Sequence, residues 1–142
     1  MLRALTVGVA ALAVTTSVAL AAPQTKPPKA GVGCKPQVTV VLTGTIPAAP
    51  GSGASLPFAL AFTTKHSNRF GRSYVKATQP VTVQVTDEAK IRRHGAKGLD
   101  ALRAMLAGDR VLVTARACGA DLANSAAPAL TATRVVAHPG KA

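Results

Sequence analysis

The sequence predicts an all-β domain with one small helix, its elements running β-β-β-α-β-β. Two observations carry this reading and a third checks it. Five short runs alternate apolar or β-branched residues with polar ones, and one segment changes to a helical period; Cys34 and Cys118, which play no part in assigning the runs, stand just before the first and at the end of the fourth. A period of two sends successive side chains to opposite faces of a sheet, as one buried and one wet face require.

The elements follow in order. Gln37 to Ile46 (QVTVVLTGTI) alternates β-branched and polar residues, and Phe58 to Thr64 (FALAFTT) puts Phe58, Leu60 and Phe62 on one face. Val81 to Thr86 (VTVQVT) alternates strictly, with Val81, Val83 and Val85 inward and Thr82, Gln84 and Thr86 outward. From Gly98 to Ala107 (GLDALRAMLA) the period changes: Leu99, Leu102 and Leu106 share one side of a short helix, and Gly108 suits its stop. Gly108-Asp109 turns into the fourth run, Arg110 to Cys118 (RVLVTARAC), and Leu130 to Ala137 (LTATRVVA) completes the set.

The chain opens with Met1-Leu2-Arg3, an apolar run from Ala4 to Leu20, and small residues at Ala19 and Ala21. This is the three-part layout of a secretory signal peptide. Thr6, Thr15, Thr16 and Ser17 interrupt the run, which is shorter than the ~20 residues of a membrane span, and no Lys/Arg cluster follows it. Cleavage after Ala21 is therefore expected rather than anchoring. Residues 1–21 are read as the signal peptide, 22–33 (APQTKPPKAGVG) as a flexible lead-in, 34–138 as the barrel domain and 139–142 as a tail. The expected location is outside the cytoplasm: secreted, or in the cell envelope or periplasm.

The strand order is that of the five-stranded OB-like Greek-key barrel. In that topology the first and fourth strands pair antiparallel, so the start of one lies beside the end of the other. Cys34 and Cys118 are brought together by it. In an oxidising compartment two such cysteines form a disulfide by default. Closing a loop of that length is worth ~4–5 kcal/mol in the chain-entropy model. Two thiols are too few for a closed zinc site, and no metal or cofactor is expected.

The formal net charge is +12, and only Arg3 of the 17 Lys and Arg lies in the leader, so 16 cations face five acids in the processed chain. That balance attracts polyanions such as nucleic acid, anionic lipid or acidic cell-wall polymer. A basic but otherwise unremarkable exported protein is the plainer alternative.

The stretch from Val81 to Val136 resembles a family of exported bacterial small-barrel domains of unknown function. The matching pieces are the strand ending in Val85-Thr86, the helix Leu99-Asp100-Ala101-Leu102, the run Ala107-Gly108-Asp109-Arg110-Val111-Leu112-Val113, and a closing strand with Ala132 and Val135. The resemblance implies a secreted OB-like barrel with no defined catalytic residues.

Residue types for catalysis are sparse. Asp109 sits in a turn, Asp100 near a helix start, Asp87 and Glu88 side by side at a strand exit, and Asp121 in a loop. No two of them are set to converge across a cleft. His66, His94 and His138 lack metal-site spacing, and Ser67, Ser73 and Ser125 lack a nucleophile elbow. The expectation is a protein that is not an enzyme.

Two basic segments are the candidate polyanion-binding residues. The first, between the second and third strands, offers Lys65, Arg69, Phe70, Arg72, Tyr74 and Lys76. Its rings either stack on bases, as in single-strand binders, or tuck back on the barrel. The second, between the third strand and the helix, offers Lys90, Arg92, Arg93 and Lys97, with Ile91 as an anchor to the core. Strand directions place the two segments at opposite ends of the third strand, which favours diffuse attraction over a groove. The loops from Pro47 to Pro57 and Gly119 to Ala129 carry almost no charge with which to read a ligand. The function expected is a secreted, non-enzymatic OB-like binding or interaction module with a basic surface at a bacterial envelope. The alternatives are a structural envelope protein held to anionic polymer by charge, or a nucleic-acid-binding OB domain.

Overall fold

The computed structural model describes residues 36–124 and 127–141, so the leader, the lead-in and Cys34 lie outside the described residues. Six strands form one sheet: β1 (Gln37–Thr45), β2 (Phe58–Ser67), β3 (Val81–Arg93), β4 (Ala96–Lys97), β5 (Arg110–Cys118) and β6 (Leu130–His138). A 3-10 turn (Arg69–Gly71) and helix α1 (Arg72–Val75) follow β2, α2 (Gly98–Arg103) follows β4, and α3 (Gly119–Asn124) follows β5.

The strand order is β2-β1-β5-β6-β3-β4, and a further ladder between β2 and β3 turns the sheet back on itself as a partly closed ring. β1 runs antiparallel to β5 along its whole length, from Gln37 opposite Cys118 to Thr45 opposite Arg110. β6 pairs antiparallel with β5 and parallel with β3. The ring closes where Phe58–Phe62 meets Val81–Val85.

Alternation fills the ring. Val40, Leu42, Leu60, Phe62, Val83, Val85, Val111, Val113, Ala115, Leu130, Ala132 and Val135 are buried to 2% exposure or less, each flanked by residues on the outer face. α2 adds Ala101 and Leu102 to that core.

The sequence reading needs four corrections. Six strands stand where five were expected, because the segment after Thr86 is not a linker. β3 runs on to Arg93: Ala89 and Ile91 are buried, alternating with the exposed Lys90 and Arg92, once an irregularity between Val85 and Lys90 has reset the register. His94 and Gly95, both with positive φ, make a two-residue hairpin into β4, Arg93 pairing with Ala96. Glycine adopts this conformation without penalty, and mirror-image turns match the twist of paired strands.

The second correction is the helix face. α2 ends at Arg103, before its period reaches Leu106, which is 57% exposed, while Met105 is fully buried instead. Third, β2 reaches Ser67 and is followed by helical turns, not by a plain hairpin. Fourth, the expected loop after Cys118 begins as helix α3, whose Leu122 packs on the core.

Candidate polyanion-binding surface

The end of β2 and α1 bring part of the first basic segment together. Asn68 does the positioning: its Nδ2 donates to the Thr39 carbonyl at 2.6 Å, its Oδ1 accepts from the Val41 N–H at 3.3 Å, and its own N–H donates to the Val41 carbonyl at 3.1 Å. The asparagine thus replaces a ladder residue beside β1, and the chain turns off the sheet. Gly71 then lets the turn seat flat. A Cβ there would come within 2.7 Å of the Leu42 side chain and 2.9 Å of Ser67 Cβ.

The result is a shallow, open depression of about 290 Å³, lined by Lys65, His66 and Ser67 from β2 and by Arg72, Val75 and Lys76 from α1 and its end. Three cations line it and no carboxylate does. Arg72 and Lys76 stand four apart, where like charges repel along a helical turn. An oxyanion in the depression would relieve that repulsion.

The two rings of the segment are used differently. Tyr74 is 3% exposed, and its hydroxyl donates to the Pro128 carbonyl, tying α1 to the approach of β6. Burial pushes its pKa from 10.0 up to about 12. Phe70 is half-buried against the core, and the Arg69 guanidinium lies 4.4 Å over its ring. No open stacking platform arises from either.

The second basic segment divides. Arg93 turns away from solvent to Asp109 and serves the fold. Lys90 and Arg92 are exposed on the outer face of β3, and Lys97 is exposed on β4.

Three arginines outside both segments share that outer face. Arg110 and Arg116 are exposed on β5 and Arg134 on β6. Arg134 lies opposite Lys90 in the parallel ladder and opposite Thr114 in the antiparallel one. Like charges directly opposite one another weaken a sheet. The period-two alternation of β5 and β6 was the sequence signal for these arginines, since Val111, Val113, Ala115 and Val135 claim the inner positions.

Among the described residues, no group of three or more His, Cys, Asp or Glu is placed to hold a metal, and no helix is long and apolar enough to cross a membrane. Asp100 and Asp121 lie in the first turns of α2 and α3, Asp87 and Glu88 in the irregular stretch of β3, and Asp109 on Arg93. Comparison with protein-family models, with curated proteins and with solved structures gives no match to this chain.

Proposed function

We propose that this protein is an exported, OB-like barrel that binds an anionic polymer outside the cytoplasm and catalyses no reaction. The depression carries this reading: Lys65, Arg72 and Lys76 converge on an open hollow with His66 and Ser67 and without an acid. A ring running β1-β2-β3-β6-β5, with β4 as a short hairpin appended to β3, supports the OB-like assignment. The resemblance of Val81 to Val136 to exported small-barrel domains and the leader-like opening support export to a bacterial envelope. The dispersed carboxylates support binding rather than catalysis, since acid–base work needs groups within reach of one substrate.

The test is retention of the purified protein on immobilised anionic and neutral polymers across a salt series. Retention on the anionic polymer alone, lost as salt rises, is the expected result. Equal retention on both, or retention indifferent to salt, would remove the proposal, because an ionic contact must weaken as counterions compete.

A further inference from the structure

We infer that the outer face of β5, β6 and β3 is a second part of the binding surface, and that its ligand is a flexible, linear phosphate polymer held through its backbone oxygens. The inference rests on the proposed polyanion binding and names both the ligand chemistry and the path it takes.

The register joins the depression to this face. On the outer side of the sheet, His66 of β2 lies opposite Thr43 of β1, Thr43 opposite Leu112 of β5, Leu112 opposite Val136 of β6, and Val136 opposite Arg92 of β3. A neighbouring row runs Val41, Thr114, Arg134, Lys90. Four steps between strands cover about 19 Å of surface. A path therefore leaves the depression at His66, crosses small and apolar residues, and reaches Arg134, Lys90 and Arg92. Arg110 and Arg116 border it, Arg110 one outer-face row beyond Leu112 and Arg116 one row beyond Thr114. The acidic limit of the face is the bulge with Asp87 and Glu88, both exposed, next to Lys90.

Two features select the ligand. Four of the five cations on this face are arginines, whose planar forks match phosphate oxygens bidentately. The face also wraps a small barrel and is convex. A stiff duplex, whose persistence length is about 50 nm, touches such a surface along one line only. A flexible chain can follow it round. Recognition by bases is disfavoured because Phe62 and Tyr74 are buried, Phe58 and Phe70 pack partly buried against the core, and Arg69 lies over the Phe70 ring.

Three proteins test this: the wild type, a face variant (Lys90→Ala, Arg92→Ala, Arg134→Ala) and a depression variant (Lys65→Ala, Arg72→Ala, Lys76→Ala). Affinity is measured by fluorescence anisotropy for tripolyphosphate, for polyphosphate chains long enough to span both regions, and for oligo(dT) of matched charge. Each variant is expected to lower the slope of log affinity against log salt by about two, three contacts at ~0.7 each. Long polyphosphate is expected to bind the wild type at least tenfold more tightly per chain than tripolyphosphate, and both variants should lose that gain, because one chain no longer engages two regions. Thermal unfolding of the face variant should be unchanged or raised, since the Lys90–Arg134 repulsion is removed.

Wild-type binding by the face variant together with weakened binding by the depression variant would overturn this inference and leave the proposed function standing. Absence of wild-type binding to every polyanion would remove both. Oligo(dT) binding tenfold tighter than polyphosphate of equal charge would overturn the ligand class in favour of a base-reading single-strand binder.

Discussion

Arg93 and Asp109, 16 residues apart, are locked together by two hydrogen bonds, Nε to Oδ2 at 2.6 Å and Nη2 to Oδ1 at 3.3 Å. Asp109 Oδ2 also accepts the Leu106 N–H at 3.0 Å. The backbone beside it is clamped to the end of β1, with Ile46 N–H donating to the Asp109 carbonyl at 2.9 Å and Gly108 N–H donating to the Ile46 carbonyl at 2.8 Å. One carboxylate therefore ties the end of β3 to the turn that launches β5, and that turn to β1.

Asp109→Asn is expected to lower stability by about 2–3 kcal/mol, the value of a charge-assisted bond lost from a shielded pair. Burial alone would raise the Asp109 pKa, but the Arg93 hydrogen bond, the Leu106 and Gly140 backbone and the Arg93 charge outweigh it and hold the group below its ordinary 3.8. Because the folded value is the lower one, the stabilisation is full above the unfolded pKa. It is lost as pH falls through the folded value. Urea titrations from neutral pH to below pH 4 should show an acid loss in the wild type that is reduced in the variant. Parallel pH curves would contradict the assignment.

Tyr74 is the only tyrosine, and the chain has no tryptophan, so phenolate absorbance reports this one hydroxyl. Its titration midpoint should sit near 12 in the folded protein, because burial disfavours the charged form. A raised folded pKa means stability that is intact below pH 10 and lost as pH climbs towards 12. Tyr74→Phe should remove that alkaline slope and cost about 1 kcal/mol for the Pro128 carbonyl left unpaired. A midpoint near 10 would place the ring in solvent.

Strand existence was legible wherever alternation was strict, as in Val81-Val83-Val85 and Val111-Val113-Ala115, because each inward position had to be apolar. The pairing of the run after Cys34 with the run ending at Cys118 was legible from the β-β-β-α-β-β element order rather than from alternation. The β3 extension was not, since the bulge at Asp87 and Glu88 interrupts the period and makes Ala89 and Ile91 read as isolated apolar residues. Lys65, Arg72 and Lys76 were legible as a basic segment, but their convergence depends on Asn68 bonding across 27 and 29 positions to β1. Arg93 was indistinguishable from Arg92 in sequence. The alternation of the extended β3 separates them, leaving Arg92 exposed beside the buried Ile91 and turning Arg93 to Asp109.

Gly71→Ala tests whether the depression depends on α1 lying close to the sheet. The added methyl meets Leu42 and Ser67, an overpacking cost of about 1–3 kcal/mol. The expected result is a folded protein with lowered thermal midpoint and weakened polyanion binding, although no charge has been removed. Unaltered binding would mean that the cations act independently of their placement.

The cysteines give a covalent test of the β1–β5 register. Gln37 lies opposite Cys118, which is not a free thiol, and Cys34 is three residues before Gln37 in sequence. A single Cys34–Cys118 bond is expected. Thiol labelling of the exported protein under denaturing, non-reducing conditions should find no reactive cysteine, and Cys118→Ser should cost up to about 4–5 kcal/mol. Labelling of both residues would contradict the bond.

The last prediction separates charge from stacking at Arg69 and Phe70. Arg69 is exposed and lies over a ring that is itself half-buried against the core. Arg69→Ala removes one cation and should reduce the salt slope of polyanion binding by about 0.7 if it contacts the polymer, with little effect on folding. Phe70→Ala removes core contacts and should lower stability by about 1–2 kcal/mol, less than a fully buried ring would. Binding by the folded Phe70→Ala protein should persist. Base stacking would give the opposite pattern: affinity for oligo(dT) falling by ~1–3 kcal/mol, polyphosphate affinity unchanged and stability intact. That outcome would place the ring on the ligand, and Arg69 would then have to swing off its face before a base could take its place.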